Sequence, residues 1–324
     1  MIKKFLKIST SKLEKVIFKS SKKYLNSNSA KILSKLIVRA EKMRILTHGI
    51  HYYVHSIEPL LKEKKIYFKN RIVKNYIYTE SLSDGAVGIM NTFDCLSRAS
   101  KIAKKKGFSI FIAKNPGKVG ALRIYCPEVI KRDQLILLLK NTAPTQGTQK
   151  TKKALIGTNP IAIGIPGSKF IFDSSTSTVA TNSVRLKNKY HENFDTNVGF
   201  DEKINFTKNS KELLKKNSYL NTFANENFWF KSFYLGVAIE LISALCGGNT
   251  SHRVGDSKGS RLYSQEGMLA IIIDKKVFPS YKKYKKEMKL LIKDLKKINL
   301  RIPGKISETK NVTVFQKDLK KILN

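Results

Sequence analysis

The apolar positions of the first fifty residues fall into a helical rhythm. Ile32, Leu33, Leu36, Ile37, Ala40 and Met43 recur at steps of three and four behind the polar pair Asn28 and Ser29, which predicts a capped helix there. A second helix is predicted over 87–106, where Ile89, Phe93, Leu96 and Ile102 keep one face and Gly107 supplies the stop. The period then shortens. Residues 108–113, 135–139, 161–165, 170–172 and 268–273 are short apolar or alternating runs bounded by Gly, Pro, Asn and Lys, and they read as strands. Residues 119–131 predict a helix that Pro127 breaks or kinks. The Lys- and Asn-rich stretch 182–227 reads as an extended surface excursion, and 233–246 as a buried helix ending at Gly247 and Gly248. Last comes an amphipathic helix, with Tyr281, Tyr284, Met288, Leu291, Leu295 and Ile298 as a core-facing stripe beneath a lysine-rich outer face.

Helices at both ends thus enclose a strand-rich middle, an α/β or mixed α+β architecture. The 324 residues suit two domains. The pattern divides them into a discontinuous helical domain, 1–75 with 231–324, and a strand-rich domain, 76–230. A hydrophobic content of 41% excludes a disordered chain, and the lack of an internal repeat excludes a fibrous one.

Charge is the abnormal quantity. The 62 Lys and Arg stand against 24 Asp and Glu, a formal +38. Such a balance raises nucleic acid or an anionic membrane as a partner. Only ten of the basic residues are arginines, and the lysines run along the whole chain instead of gathering in one block. Arg is the residue for bidentate reading of bases and phosphates, whereas Lys is a solvated point charge. The pattern fits exposed positions filled with lysine better than a dedicated binding face. Cys95, Cys126 and Cys246 form no CxxC and are too few for a disulfide framework. Residues 1–20 hold no apolar core of signal-peptide length, and the most apolar run, 233–248, is short of a bilayer span and carries Glu240. A soluble, reduced, cytoplasmic protein is expected.

His48, His51 and His55 would share one face of a helix, and three imidazoles can hold zinc with a fourth position open. No carboxylate precedes Glu58 nearby to orient them. The alternative is a helix start at Thr47-His48-Gly49 with two incidental surface histidines, and no metal is expected. The turn Asn115-Pro116-Gly117-Lys118-Val119-Gly120 and the run 255–260 (GDSKGS) lack the spacing of a P-loop or a Rossmann turn.

The order of the pieces is more telling than any one of them. Thr47-His48-Gly49 is followed by Asp84-Gly85 with Gly88, by Asn141-Thr142-Ala143-Pro144, and by Gly157-Thr158-Asn159-Pro160. Then come Asp173-Ser174-Ser175-Thr176-Ser177, the segment Phe228-Trp229-Phe230-Lys231, Ser264-Gln265 and Arg301-Ile302-Pro303-Gly304. In this arrangement nearly the whole chain resembles the malate/L-lactate dehydrogenase family of NAD(P)-dependent oxidoreductases, and within it the 2,3-diketo-L-gulonate reductase branch.

The resemblance implies a non-Rossmann fold, a homodimer, and hydride transfer between NAD(H) or NADP(H) and a small 2-oxo or 2-hydroxy acid. It implies His48 as the proton donor, a role suited to a side chain with an ordinary pKa near 6.5. Where the family has a carboxylate-binding arginine this chain has Tyr52, a substrate-side phenol that can donate a hydrogen bond but no charge. Where some members have a second, catalytic histidine it has Lys118, which would supply the missing positive charge for the carboxylate or act as an acid. Thr142, Asp173, Ser174, Ser175, Thr176, Ser177, Lys231, Gly304 and Lys305 fall on the family's cofactor segments, although Ser232 replaces a glycine after Lys231. The changes at Tyr52, Lys118 and Ser232 leave a second reading open, a non-catalytic member kept as a binding or structural protein. A nucleic-acid-binding protein is a third, resting on charge alone.

Overall fold

The computed structural model describes residues 5–82, 86–224, 227–255, 265–304, 306–307 and 309–323. Strand β1 (Phe5–Ser9) leads into α1 (Thr10–Ser21), α2 (Ser27–Lys42) and a helical stretch made of α3 (Ile50–Tyr52), a π-turn (Tyr53–Ile57) and α4 (Glu58–Lys62). The α2 cap is Asn26, which accepts from Ser29 N at 2.9 Å, so the helix starts earlier than its pattern of apolar residues suggested. Its buried Ala30, Leu33, Leu36, Ile37 and Ala40 are the predicted stripe. The hairpin β2 (Phe68–Val73) and β3 (Tyr76–Ser81) precedes α5 (Ile89–Lys106), which ends at Gly107 with φ of 98°.

Next come β4 (Phe108–Lys114), a 3-10 turn (Leu122–Ile124), α6 (Cys126–Ile130), β5 (Gln134–Lys140), β6 (Ile161–Gly164) and β7 (Ile171–Ser174). Pro127 does not break a helix. It stands in the first turn of α6, where its missing N–H costs nothing. The chain continues through α7 (Thr181–Lys189), β8 (Gly199–Phe200), β9 (Phe206–Thr207), β10 (Tyr219–Leu220) and α8 (Trp229–Leu245). It then runs through β11 (Gly267–Asp274), α9 (Tyr281–Lys297), β12 (Asn311–Phe315) and α10 (Gln316–Leu323).

Seven strands form the main sheet in the order β2-β3-β4-β11-β5-β6-β7. Only β3 and β4 are parallel, joined by the α5 crossover, so this is not a doubly wound dinucleotide fold. Ala270 of β11 lies between Phe111 of β4 and Leu138 of β5, all three fully buried, and α5 and α8 both pack on β11. Two strands of the sheet, β2 and β11, fall in the 1–75 and 231–324 segments assigned to the helical domain, and β11 occupies the middle of the sheet. An apolar run pairs wherever its faces are covered, irrespective of its place in the sequence.

Three further expectations are corrected. The 182–227 stretch is not a bare excursion, because α7 and the small sheet β9-β8-β10 enclose Val184, Val198, Leu213 and Leu220 as a core of their own. Helix α8 is buried on one side only. It exposes Tyr234 (60%), Leu241 (58%) and Leu245 (87%), because a helix apolar all round carries no signal for which face goes inward. Helix α9 buries no residue fully and is tied down by hydroxyls, Tyr281 donating to Asp133 (2.9 Å) and Tyr284 to the Pro166 carbonyl (2.7 Å). Among the described residues no helix is long and apolar enough to cross a membrane.

Candidate active site

The turn before α3 is built around a buried carboxylate. Glu41 Oε1 accepts from Ile50 N at 2.7 Å, and a Cβ on Gly49 would lie 1.9 Å from that same oxygen. A side chain at 49 would have to push this carboxyl off the Ile50 N–H, and the turn that glycine permits presents His48. A second close crossing faces it. A Cβ on Gly88 would stand 1.8 Å from the Pro116 carbonyl oxygen, and one on Gly117 2.0 Å from that of Ala86. This contact fixes the turn carrying Lys118, whose backbone N–H donates to Ala86 at 2.7 Å.

Between these turns and the end of β7 opens a cavity of about 790 Å³. His48, Tyr52, Lys118, Thr142, Asp173, Ser174 and Ser175 all line it. His48 Nδ1 lies 3.0 Å from Thr47 Oγ1, and its ring is tilted against Tyr52 with centroids 5.1 Å apart. Desolvation in the wall, reinforced by the charges of Arg123, His51 and Lys118, lowers its pKa to about 4. Tyr52 is buried, its hydroxyl accepts from Gly120 N at 3.3 Å, and burial pushes its pKa upward. Burial also raises Asp173 to about 6, although Arg123 opposes the shift from 3.2 Å.

The remaining site candidates lie elsewhere. Thr176 and Ser177 are buried beneath the wall, Thr176 donating to Gln146 Oε1 (3.1 Å) and Ser177 to the Val179 carbonyl (2.8 Å). Lys231 stands exposed at the start of α8 with Nζ 4.8 Å from the Phe228 ring centroid. Its neighbour Ser232 is buried and accepts from Ala224 N at 3.1 Å, a tie that glycine cannot make. Gly304, with φ of 91°, packs against Ile171 of β7. Asp84, Gly85, Ser264, Lys305 and all but the first residue of the 255–260 run lie outside the described residues.

The histidines divide. His48 and His55 both line the cavity, but His51 Nδ1 and His55 Nε2 each lie 2.9 Å from an oxygen of the fully buried Asp318. Lys189 Nζ adds a third contact at 2.7 Å. These are therefore not incidental surface histidines. Although burial works against it, the three donors hold Asp318 well below the usual carboxylate range.

The family model for malate/L-lactate dehydrogenase matches residues 8–312. The chain belongs to that family. L-sulfolactate dehydrogenase of Methanocaldococcus jannaschii is 25% identical over 308 residues, covering 91% of this chain and 87% of its own. Malate/(S)-sulfolactate dehydrogenase of Methanothermus fervidus is 24% identical over 287 residues, covering 86% and 83%. The fold is that of the solved Δ1-piperideine-2-carboxylate reductase of Pseudomonas syringae pv. tomato, with TM-score 0.82, 19% identity and 98% coverage of both chains.

Within this member of the malate/L-lactate dehydrogenase family, several wall residues escaped the sequence reading. Arg123 is one. Another is the pair Lys140 and Glu266, Nζ to Oε2 at 2.5 Å, which joins the end of β5 to the start of β11. Thr145 is a third, its buried hydroxyl without a hydrogen-bond partner among the described residues. Arg123 follows Lys118 by five residues, and that spacing of two cations after a glycine turn was the available signal. The structural role of the GTNP motif is also plain. Asn159 accepts from Thr142 N (3.1 Å) and donates to the Gly236 carbonyl (2.9 Å), fixing the cavity wall to α8.

Proposed function

We propose that the cavity exchanges hydride between a nicotinamide cofactor, NAD(H) or NADP(H), and the α-carbon of a small 2-oxo or 2-hydroxy acid. The observation that carries this reading is His48, a desolvated imidazole in a wall shared with two unlike sets of groups, the cations Lys118 and Arg123 and the hydroxyl-rich edge at Thr142, Thr145, Thr158, Ser174 and Ser175. The hydroxyl edge suits a carboxamide and a ribose. When bound, the cofactor supplies or accepts the hydride, and the protein handles the proton.

With its pKa near 4, His48 is neutral at physiological pH and ready to accept the hydroxyl proton of a 2-hydroxy acid. In the reducing direction it delivers a proton to the carbonyl oxygen as hydride reaches the carbon. An anionic substrate beside Arg123 and Lys118 offsets the charges that resist its protonation. Lys231 and Gly304, which do not line the cavity, and Lys305 are assigned to the phosphate side on the family likeness. 2,3-Diketo-L-gulonate is one substrate to test, and oxaloacetate and sulfopyruvate are others suited to a cationic wall. The same reading includes a homodimer closed over the outward face of α8.

The test is direct. The purified protein should quench or shift NADH or NADPH fluorescence and consume it with a 2-oxo acid. His48→Ala should lose turnover about 10²–10⁴-fold while keeping cofactor binding. Failure to bind either cofactor would return the chain to its non-catalytic reading.

A further inference from the structure

The cavity needs a cation for the carboxylate of its acid, and its wall offers four. Lys140 is buried and already committed, held by Glu266 at 2.5 Å and donating to the Asn141 carbonyl at 3.1 Å. Arg185 is engaged by other contacts. Lys118 is exposed on its turn. The phenol of Tyr52 adds no charge and is occupied by Gly120 N.

Arg123 differs from all of these. Its 3-10 turn begins two residues after Gly120, and its side chain is 29% exposed in the cavity wall. Asp173 is its one ion-pair partner among the described residues, with Nε at 3.2 Å but not aligned for a hydrogen bond, and it also accepts from the Arg123 backbone N–H at 3.4 Å. No other side-chain contact claims the two terminal nitrogens among the described residues. A planar fork with its paired donors uncommitted is the geometry that receives a carboxylate in bidentate fashion.

We propose that Arg123 is the carboxylate-binding residue of this enzyme, gripping the 2-oxo acid through its terminal nitrogens while Nε stays on Asp173. This rests on the reading of the cavity as a 2-oxo acid site. It makes position 123, on the turn after β4, the determinant of substrate charge, and it leaves Lys118 as a rim cation that attracts anions without orienting them. Because Arg123 also contributes to the low pKa of His48, the same contact couples substrate arrival to protonation of the acid.

The experiment measures oxamate, an unreactive mimic of pyruvate, by calorimetry in the presence of NADH. Arg123→Ala should weaken oxamate at least about tenfold with NADH affinity retained, as expected for losing one side of a desolvated charge pair. Arg123→Lys keeps a positive charge beside Asp173 and therefore the fold, and it should bind with intermediate affinity. Lys118→Ala should weaken binding less than Arg123→Ala. Equal oxamate affinity in wild type and Arg123→Ala overturns the assignment, as does no binding by wild type or a loss carried wholly by Lys118→Ala. Wild type that binds NADH and oxamate but turns over no 2-oxo acid would defeat the proposed reaction while leaving the Arg123 contact measurable.

Discussion

Glu41 shows how much one buried carboxylate can demand. Burial raises its pKa to about 8, partly offset by the Ile50 N–H, and Oε2 has no hydrogen-bond partner among the described residues. Between its ordinary value near 4.5 and about 8 the folded chain keeps a proton that the unfolded chain gives up. Stability from this group is therefore full at low pH and is lost as pH rises across that window, by at most about 1.4 kcal/mol per pH unit. Glu41→Gln preserves the acceptor for Ile50 and cannot ionise. Its advantage in melting temperature over wild type should widen from pH 5 to 8 and then level off, and a constant difference would contradict this account. His48 gives a second titration. Its imidazole resonances should move near pH 4 in wild type, and at higher pH in Arg123→Ala, since removing a cation favours the charged ring. That His48 and Asp173 share one cavity was legible because Thr47-His48-Gly49 and Asp173 follow the family order. Arg123 was not, because an arginine five residues past Lys118 looks like any surface cation until its neighbours are known.

Among elements, the short apolar runs bounded by polar residues and glycine were the easiest to read. β5 and β11 carry unbroken apolar stretches at 135–139 and 268–273, and such a run signals a strand covered on both faces. Helices whose partner lies far along the chain were harder. The clamp of α3 and the π-turn onto α10 depends on Asp318, 267 residues beyond His51, and no local pattern announces it. Asp318→Asn removes the charge that three donors surround and should cost about 3–5 kcal/mol at neutral pH. Because the native carboxyl titrates below its ordinary value of 3.8, that stabilisation holds above about pH 4 and fades as pH falls further, so the two proteins should converge in acid melts. Helix α8 makes its own prediction. If its outward Tyr234, Leu241 and Leu245 close a homodimer, light scattering should give twice the 36.8 kDa chain mass, and Leu241→Asp with Leu245→Asp should halve it.

For the molecule as a whole, the place of β11 has a consequence for synthesis. This strand is made last of the seven in the sheet, yet it is seated between β4 and β5. A nascent chain emerging from the ribosome holds those two strands apart with their inner edges bare until Gly267 and the residues after it arrive. Bare edges recruit other strands, so the half-made sheet is a natural client for chaperones. A chain stopped at residue 260 and released should pellet or remain chaperone-bound, while the full chain stays in solution. Closure of the sheet must then follow translation of its central strand, and refolding from denaturant should be slow for the same reason, since the pairs that join β11 to β4 and β5 span well over a hundred residues.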